Sequence, residues 1–390
     1  MLGGDRAPEV AGSGPAVALV FEGGGRAASA VEHDLRHVRH AVALDTLDAL
    51  VRLRAAGDLD RVVLVTDRED LARRVPDAVA VHDSGGGPFH FGCVLAGLLE
   101  RLRPRLALVL GGAAAPLYGD ADFRRFLALA GSVPGAVVVQ NNPQSPDVLA
   151  FTGAAAAARL GLPDSDNALG MALSLAGWRR VLVENSARVN FDVDTPTDVA
   201  ILAGEPQTGP RAAAACADPA WVAAVAAKLA VVEGVLAEEA GELALFGRVG
   251  PPVTGYLNMH LRCRLRMFSE ERGMRALGRE AAGTVVSLVG RCVDAMGAAA
   301  FFRLLDGCCD AALFDSRVLM AHWRRPLSDA DRFHADIGMA DHIGEQRLAA
   351  FTAAAFAAVP TVVLGGHSLV YGGLWLLADR VIRRQHPLGS

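Results

Sequence analysis

Lysine is nearly missing from this chain. Of its 38 Lys and Arg residues only Lys228 is a lysine, so catalytic lysines are almost excluded. Cysteine is sparse too: Cys93, Cys216, Cys263, Cys292, Cys308 and Cys309 form no C-x-x-C pair and show no zinc spacing. With no secretory signal at the start of the sequence, they read as reduced, mostly buried thiols of a cytoplasmic protein. An excess of one charge is also lacking. The net charge of -5 and a pI near 6.1 give no electrostatic reason to expect a nucleic-acid partner. Nor is there a clean membrane span: residues 348–378 carry no charge, but Pro360, Gly365-Gly366 and Gly372-Gly373 interrupt them. That stretch reads as a buried helix–strand–helix unit, and no membrane partner is expected.

What is present is a large apolar fraction, 52% hydrophobic against 21% charged, which excludes a disordered chain. At 390 residues two domains are expected. Residues 16–203 alternate short apolar runs with helical patterns. "AVALVF", "RVVLVT", "AVAVHD", "RLALVLGG", "AVVVQNN", "RRVLVEN" and "RVNFDVD" read as strands, and "HAVALDTLDALVRLRAAG" as a helix closed by Gly57. Such alternation predicts an α/β fold with a doubly wound, mostly parallel sheet. A Pro/Gly/Ala-rich segment, residues 206–218, reads as a linker between this domain (14–205) and a second one (219–390). In the second, residues 219–245 and 272–306 read as long helices, which predicts a mainly α-helical domain.

Four patterns carry candidate chemistry. In "NFDVDTPTDVAIL", Asp192 and Asp194 are two apart on an extended segment and share a face. Thr195, Pro196 and Asp198 then fit helix positions N-cap, N1 and N3. "VFEGGGR" follows a strand with Gly23, Gly24, Gly25 and Arg26, where bare backbone and a guanidinium can approach a phosphate. It is neither a G-x-x-x-x-G-K nor a G-x-G-x-x-G pattern. Asp310, Asp315, His322, Asp331, His334, Asp336, Asp341 and His342 crowd into residues 310–342, as on solvated helix faces, and no H-E-x-x-H pairing occurs among them. His367 and Ser368 follow an apolar strand and a glycine pair, which fits a buried turn with a hydrogen-bonded histidine.

The ordered set "FEGGGR" (21–26), "GPFHFG" (87–92), "LVLGGAAAPL" (108–117), "DNALGMALSLAG" (166–177) and "FDVDTPTDV" (191–199) resembles the nucleotidyltransferase superfamily. Molybdenum-cofactor guanylyltransferases and sugar-phosphate nucleotidylyltransferases, with their GT-A-like fold, are the members it is similar to. The resemblance covers residues 14–203, about half the chain. It implies that Gly23, Gly24, Gly25 and Arg26 contact phosphates and that Gly87 and Pro88 shape a nucleoside pocket. It implies Mg²⁺ as cofactor on Asp192 and Asp194, with Arg26 and Asp194 as the catalytic pair. The reaction implied is transfer of a nucleotidyl group from an NTP to a phosphorylated small-molecule acceptor. The sequence departs from the pattern twice. Ala113, Ala114 and Ala115 stand where the fourth strand should deliver an acid, and Arg39 or His40 stands near the place of the loop lysine.

Those departures keep a non-catalytic nucleotide- or sugar-nucleotide-binding scaffold or sensor in view. A further alternative places metal-dependent hydrolase or transferase chemistry in residues 219–390. The second domain would cover the acceptor or build a homodimer.

Overall fold

The computed structural model describes residues 14–25, 27–85, 89–325 and 327–386. The chain forms two compact units. The first holds residues 14–25 and Arg39–Asn185, the second Ala27–Val38 and the residues from Ser186 onward. Residues 186–205, which the motif order groups with the first domain, thus cluster with the second unit. Within the expected linker, Pro210–Ala217 is a helix.

The first unit is built on strands β1 (Ala16–Phe21), β2 (Arg61–Thr66), β3 (Ala80–Asp83), β4 (Leu106–Gly111), β5 (Val137–Gln140), β6 (Val148–Thr152) and β7 (Arg179–Leu182). Their order is β3-β2-β1-β4-β6-β5-β7, parallel throughout except for β6, which runs against both neighbours. This is the doubly wound, mostly parallel sheet the alternation predicts. Successive side chains of β1 go to opposite faces. Ala18 and Val20 join one core with Leu44, Leu47 and Leu50, whereas Val17 and Leu19 join another with Phe91, Leu95 and Leu98. Burying each Val or Leu stabilises by about 1.5–3 kcal/mol, so a charge on either face of β1 would be excluded.

In the second unit helices hold most residues, but a sheet organises them. Strands β8 (Glu242–Gly247), β9 (Arg264–Ser269), β10 (Ala311–Asp315) and β11 (Thr361–Gly365) run parallel in the order β11-β10-β8-β9. The expected long helix over 219–245 is therefore a helix, Val222–Ala237, followed by β8. Gly241 makes the change of direction, since a Cβ there would lie 2.2 Å from the Val235 carbonyl oxygen. Residues 272–306 likewise hold turns and two short helices, Leu288–Met296 and Ala298–Arg303. Around 264–269 the arginine-rich run is an edge strand, with Arg264 and Arg266 on one face reaching Glu242 of β8. One face of this sheet packs Ala312, Phe314 and Leu364 against Phe301, Phe302 and Phe351.

Residues 348–378 form the expected helix–strand–helix unit. Among the described residues no single helix is long and apolar enough to cross a membrane. One bent pair, Pro210–Ala217 with Val222–Ala237, passes by length and composition only. All six cysteines are free thiols, but only Cys216 and Cys309 are buried, while Cys93 and Cys308 are exposed. The expectation of mostly buried thiols is corrected accordingly.

Candidate functional site

In the first unit β1 lies between β2 and β4, and the chain crosses from β3 back to β4 on the other side of β1. Ligands of open α/β sheets bind beyond the strand carboxyl ends at such a reversal. The turn at residues 22–25 sits there. Its backbone is pinned from both sides: Glu22 N–H donates to Val65 O (3.1 Å), and Gly112 N–H donates to Phe21 O (2.8 Å). Gly24 has φ +133°, a conformation that side chains resist, and its N–H donates to Asp67 Oδ1 at 3.2 Å. A Cβ on Gly24 or Gly25 would meet nothing within 4 Å, so the turn is open where a ligand would approach. Gly23 is tighter, with Asp67 Oδ1 2.7 Å from its ideal Cβ.

Sequence reasoning missed Glu22. It is 3% exposed, and Arg39 donates to both its oxygens, Nε to Oε1 at 3.1 Å and Nη2 to Oε2 at 3.0 Å. Gly112 makes room for it, since a Cβ there would lie 2.5 Å from Glu22 Cβ. Arg39, proposed above as a stand-in for the loop lysine, therefore spends its charge on a neighbouring carboxylate. His40 is buried beside Asp70, at 3.7 Å. The only available signal was an acid placed directly before the glycines.

Beyond β4, Ala113, Ala114 and Ala115 are buried at 3, 5 and 1% exposure, so no carboxylate stands at that strand end. Asp120 and Asp122 start the helix Asp120–Ser132, as their spacing suggests. Asp122 accepts from Gly119 N–H, and Asp120 pairs with Arg52. A cavity of about 10 Å³, lined by Phe21, Phe91, Gly111, Asp147 and Asp166 among others, lies at the same strand ends and has room for about one water. Arg26, Gly87 and Pro88 lie outside the described residues. Just after them, His90 caps the helix Phe91–Leu102 by accepting from Cys93 N–H at 3.2 Å.

Asp192 and Asp194 belong to the second unit. The segment is not the expected strand: Ala187–Asn190 is a short helix, and the chain then runs extended into Thr195. Val193 is buried while Asp192 is partly buried and Asp194 exposed, so the two acids do face away from the core. Thr195, Pro196 and Asp198 form the capping box that their spacing predicts. Asp198 is fully buried, and its Oδ2 accepts from Asp194 N–H, Thr195 N–H and the Thr195 hydroxyl at 3.2, 2.8 and 2.8 Å. Burial outweighs those donors and pushes its carboxyl up to about 8.

Beside this segment the carboxyl ends of β8, β10 and β11 converge. Thr197 donates to Leu364 O at 2.7 Å, and Ser368 Oγ donates to Asp192 O at 3.3 Å. Asp315, buried at the end of β10, accepts from Arg248 Nε and Nη2 at 2.6 and 3.1 Å. Among the described residues His367 does not have the hydrogen-bond partner expected of it. It stacks on Tyr371 with ring centroids 5.3 Å apart and planes 12° apart. Of the other acids and histidines of 310–342, His334 and His342 lie together, with ring centroids 5.3 Å apart. Asp336 pairs with Arg317, and His322 lies 3.4 Å from Asp294. Among the described residues no group of three or more His, Cys, Asp or Glu side chains could hold a metal.

No family model matches this chain, and no curated protein matches it. Solved structures do. A protein named as a nucleotide-diphospho-sugar transferase from Desulfovibrio desulfuricans G20 is 12% identical, with a TM-score of 0.38 over 54% of this chain and 97% of its own. A cytidylyltransferase from Leptospira borgpetersenii is 14% identical, with a TM-score of 0.35 over 48% and 84%. A 4-diphosphocytidyl-2C-methyl-D-erythritol synthase is 18% identical, with a TM-score of 0.33 over 49% and 97%. At these scores the likeness carries no argument about activity.

Proposed function

We propose that the first unit binds a nucleoside triphosphate at the turn after β1 and serves nucleotidyl transfer to a phosphorylated small-molecule acceptor. One observation carries this reading: the turn at residues 22–25 stands at the reversal between β1 and β4, with Gly24 at φ +133° and open space beside Gly24 and Gly25. Backbone there can come within hydrogen-bond reach of phosphate oxygens that any side chain would keep away. On this reading residues 23–25 and Arg26 take the phosphates, and Gly87 and Pro88 shape the nucleoside pocket. An acceptor oxygen attacks the α-phosphorus, and the bond to the leaving pyrophosphate breaks. The protein's share is to position the chain of phosphates and offset its charge.

Magnesium is the group the sequence resemblance implies. Within the first unit the strand ends do not suit it, because Glu22 is held by Arg39 and β4 ends in alanines. Asp192 and Asp194, in the second unit, are hard oxygen donors of the kind that hold this ion in ones and twos beside substrate phosphates. They are the residues that the sequence resemblance implies for it, and an ion bound there would supply positive charge beside the two carboxylates. The alanines after β4 favour a second reading, a nucleotide-binding unit without transfer activity.

Melting the protein with each NTP, in Mg²⁺ and in EDTA, tests both. A bound NTP at a hundred times its dissociation constant stabilises by about 2.7 kcal/mol. Gly25→Val, at a position with open space and no left-handed backbone, should abolish that gain while leaving the ligand-free melt nearly unchanged. Pyrophosphate release with a phosphorylated acceptor separates enzyme from binder. No stabilisation by any NTP would sink both readings.

A further inference from the structure

The strand ends of the second unit gather groups that the nucleotide proposal does not use. β9 lies on one side of β8, and β10 with β11 on the other, so the winding reverses between β8 and β10. Arg248, the residue after β8, and Asp315, the last of β10, stand at that reversal, where open parallel sheets take ligands. Two nitrogens of Arg248 are spent on Asp315. Its Nη1 has no partner among the described residues, although the side chain is only 13% exposed.

His367 follows β11 and is partly buried. Among the described residues neither of its ring nitrogens has a hydrogen-bond partner, and its one ring contact is Tyr371. The charges that act on it are Arg248 and Arg272 on the positive side, Asp315 and Asp194 on the negative. Asp315 is neutralised by Arg248, whereas Arg272 makes no ion pair among the described residues. Burial, with the two arginines, pushes the imidazole down to about 4, so at neutral pH the ring is uncharged and offers one donor and one acceptor. Two arginines set against two carboxylates leave the charge here balanced, but the donors left over, Arg248 Nη1, the Arg272 guanidinium and one His367 N–H, suit an oxyanion with several acceptor oxygens.

We infer that the second unit holds its own site for a phosphate-bearing small molecule at the carboxyl ends of β8, β10 and β11. Arg272 and the free Nη1 of Arg248 take the phosphate oxygens, and His367 donates beside them. Nucleotide binding at the turn after β1 uses none of these three residues.

Histidine ring NMR on the full chain tests it, with inorganic phosphate as the probe and acetate as the carboxylate comparison. The His367 signal is assigned by its loss in His367→Gln. Phosphate should move it saturably, acetate should not, and Arg272→Gln should weaken the apparent affinity about tenfold. Arg248→Gln should weaken it as well. Because that change leaves Asp315 buried without its partner and could unfold the unit, Arg272→Gln is the deciding variant. Three results would overturn the inference: a His367 signal unmoved by phosphate, an equal response to acetate, or an affinity that Arg272→Gln leaves untouched.

Discussion

Asp198→Asn separates a buried acid that merely caps a helix from one that is ionised for some purpose. Two backbone N–H groups, the Thr195 hydroxyl and the start of the helix Pro196–Ala203 all favour the anion. Complete burial opposes them and is the largest effect, with the Asp194 carboxylate adding to it, so the carboxyl sits near 8 against an ordinary 3.8. A group whose pKa is raised on folding binds its proton more tightly in the folded state. Its stabilisation is full below about 3.8 and is lost as pH rises through about 8. That interval spans about four pH units at about 1.4 kcal/mol each, so the loss is on the order of 5 kcal/mol. Asparagine keeps the shape and an acceptor oxygen but does not titrate. Urea unfolding of both proteins at several pH values between 5 and 8 should show the variant gaining on the parent as pH rises. If the difference between them stays constant across that range, Asp198 is ionised throughout, and the dominance of burial argued here is wrong.

Gly112→Ala would push a Cβ against Glu22 Cβ at 2.5 Å, a contact anchored in backbone on both sides, and should destabilise by about 1–3 kcal/mol in thermal melts. Asp336→Ala leaves Arg317 buried without a counter-charge and should cost about 3–5 kcal/mol, whereas the double change Arg317→Met with Asp336→Leu should recover most of it. Equal losses in the single and double variants would refute that account. Glu22→Gln removes the carboxylate charge that Arg39 offsets beside the glycine turn, and titration should then show roughly tenfold tighter binding of whichever NTP stabilises the parent. Unchanged affinity would remove Arg39 from the phosphate site.

The sheet of the first unit was legible because its strands are short apolar runs between helices, and β1, β2, β4 and β5 are buried on both faces, whereas the edges β3 and β7 are largely exposed. β6 escaped notice because "VLAFT" lies between an Asn/Pro-rich turn and a short alanine helix, and it pairs antiparallel within a parallel set. "RVNFDVD" misled in the opposite direction. Val189, Phe191 and Val193 do alternate with polar residues and are all buried, but Val189 is so placed from a single helical turn. In the second unit β8 and β10 are five or six residues long in an Ala/Leu-rich background, where a helix fits the composition equally well. β9 carries arginines because it is an edge.

Of the site, the parts confined to a few residues could be read directly. The Thr195–Asp198 capping box is local chemistry, and its spacing alone specifies it. The Glu22–Arg39 pair spans 17 positions and depends on which face of the helix Ala30–Ala55 is turned toward β1, which no short motif encodes. Arg248 and Asp315 are 67 positions apart. They meet only because the order β11-β10-β8-β9 makes β8 and β10 neighbours across the reversal, and nothing in either strand's own sequence states that order. The same order brings His367, read as a buried turn residue from its surroundings in the chain, to the strand ends where Arg248 lies. There a histidine and an arginine hold nitrogens that no group among the described residues meets, so both can turn donors toward a ligand. That juxtaposition, invisible along the chain and plain in the folded unit, is the physical reason to look for chemistry at the strand ends of the second unit.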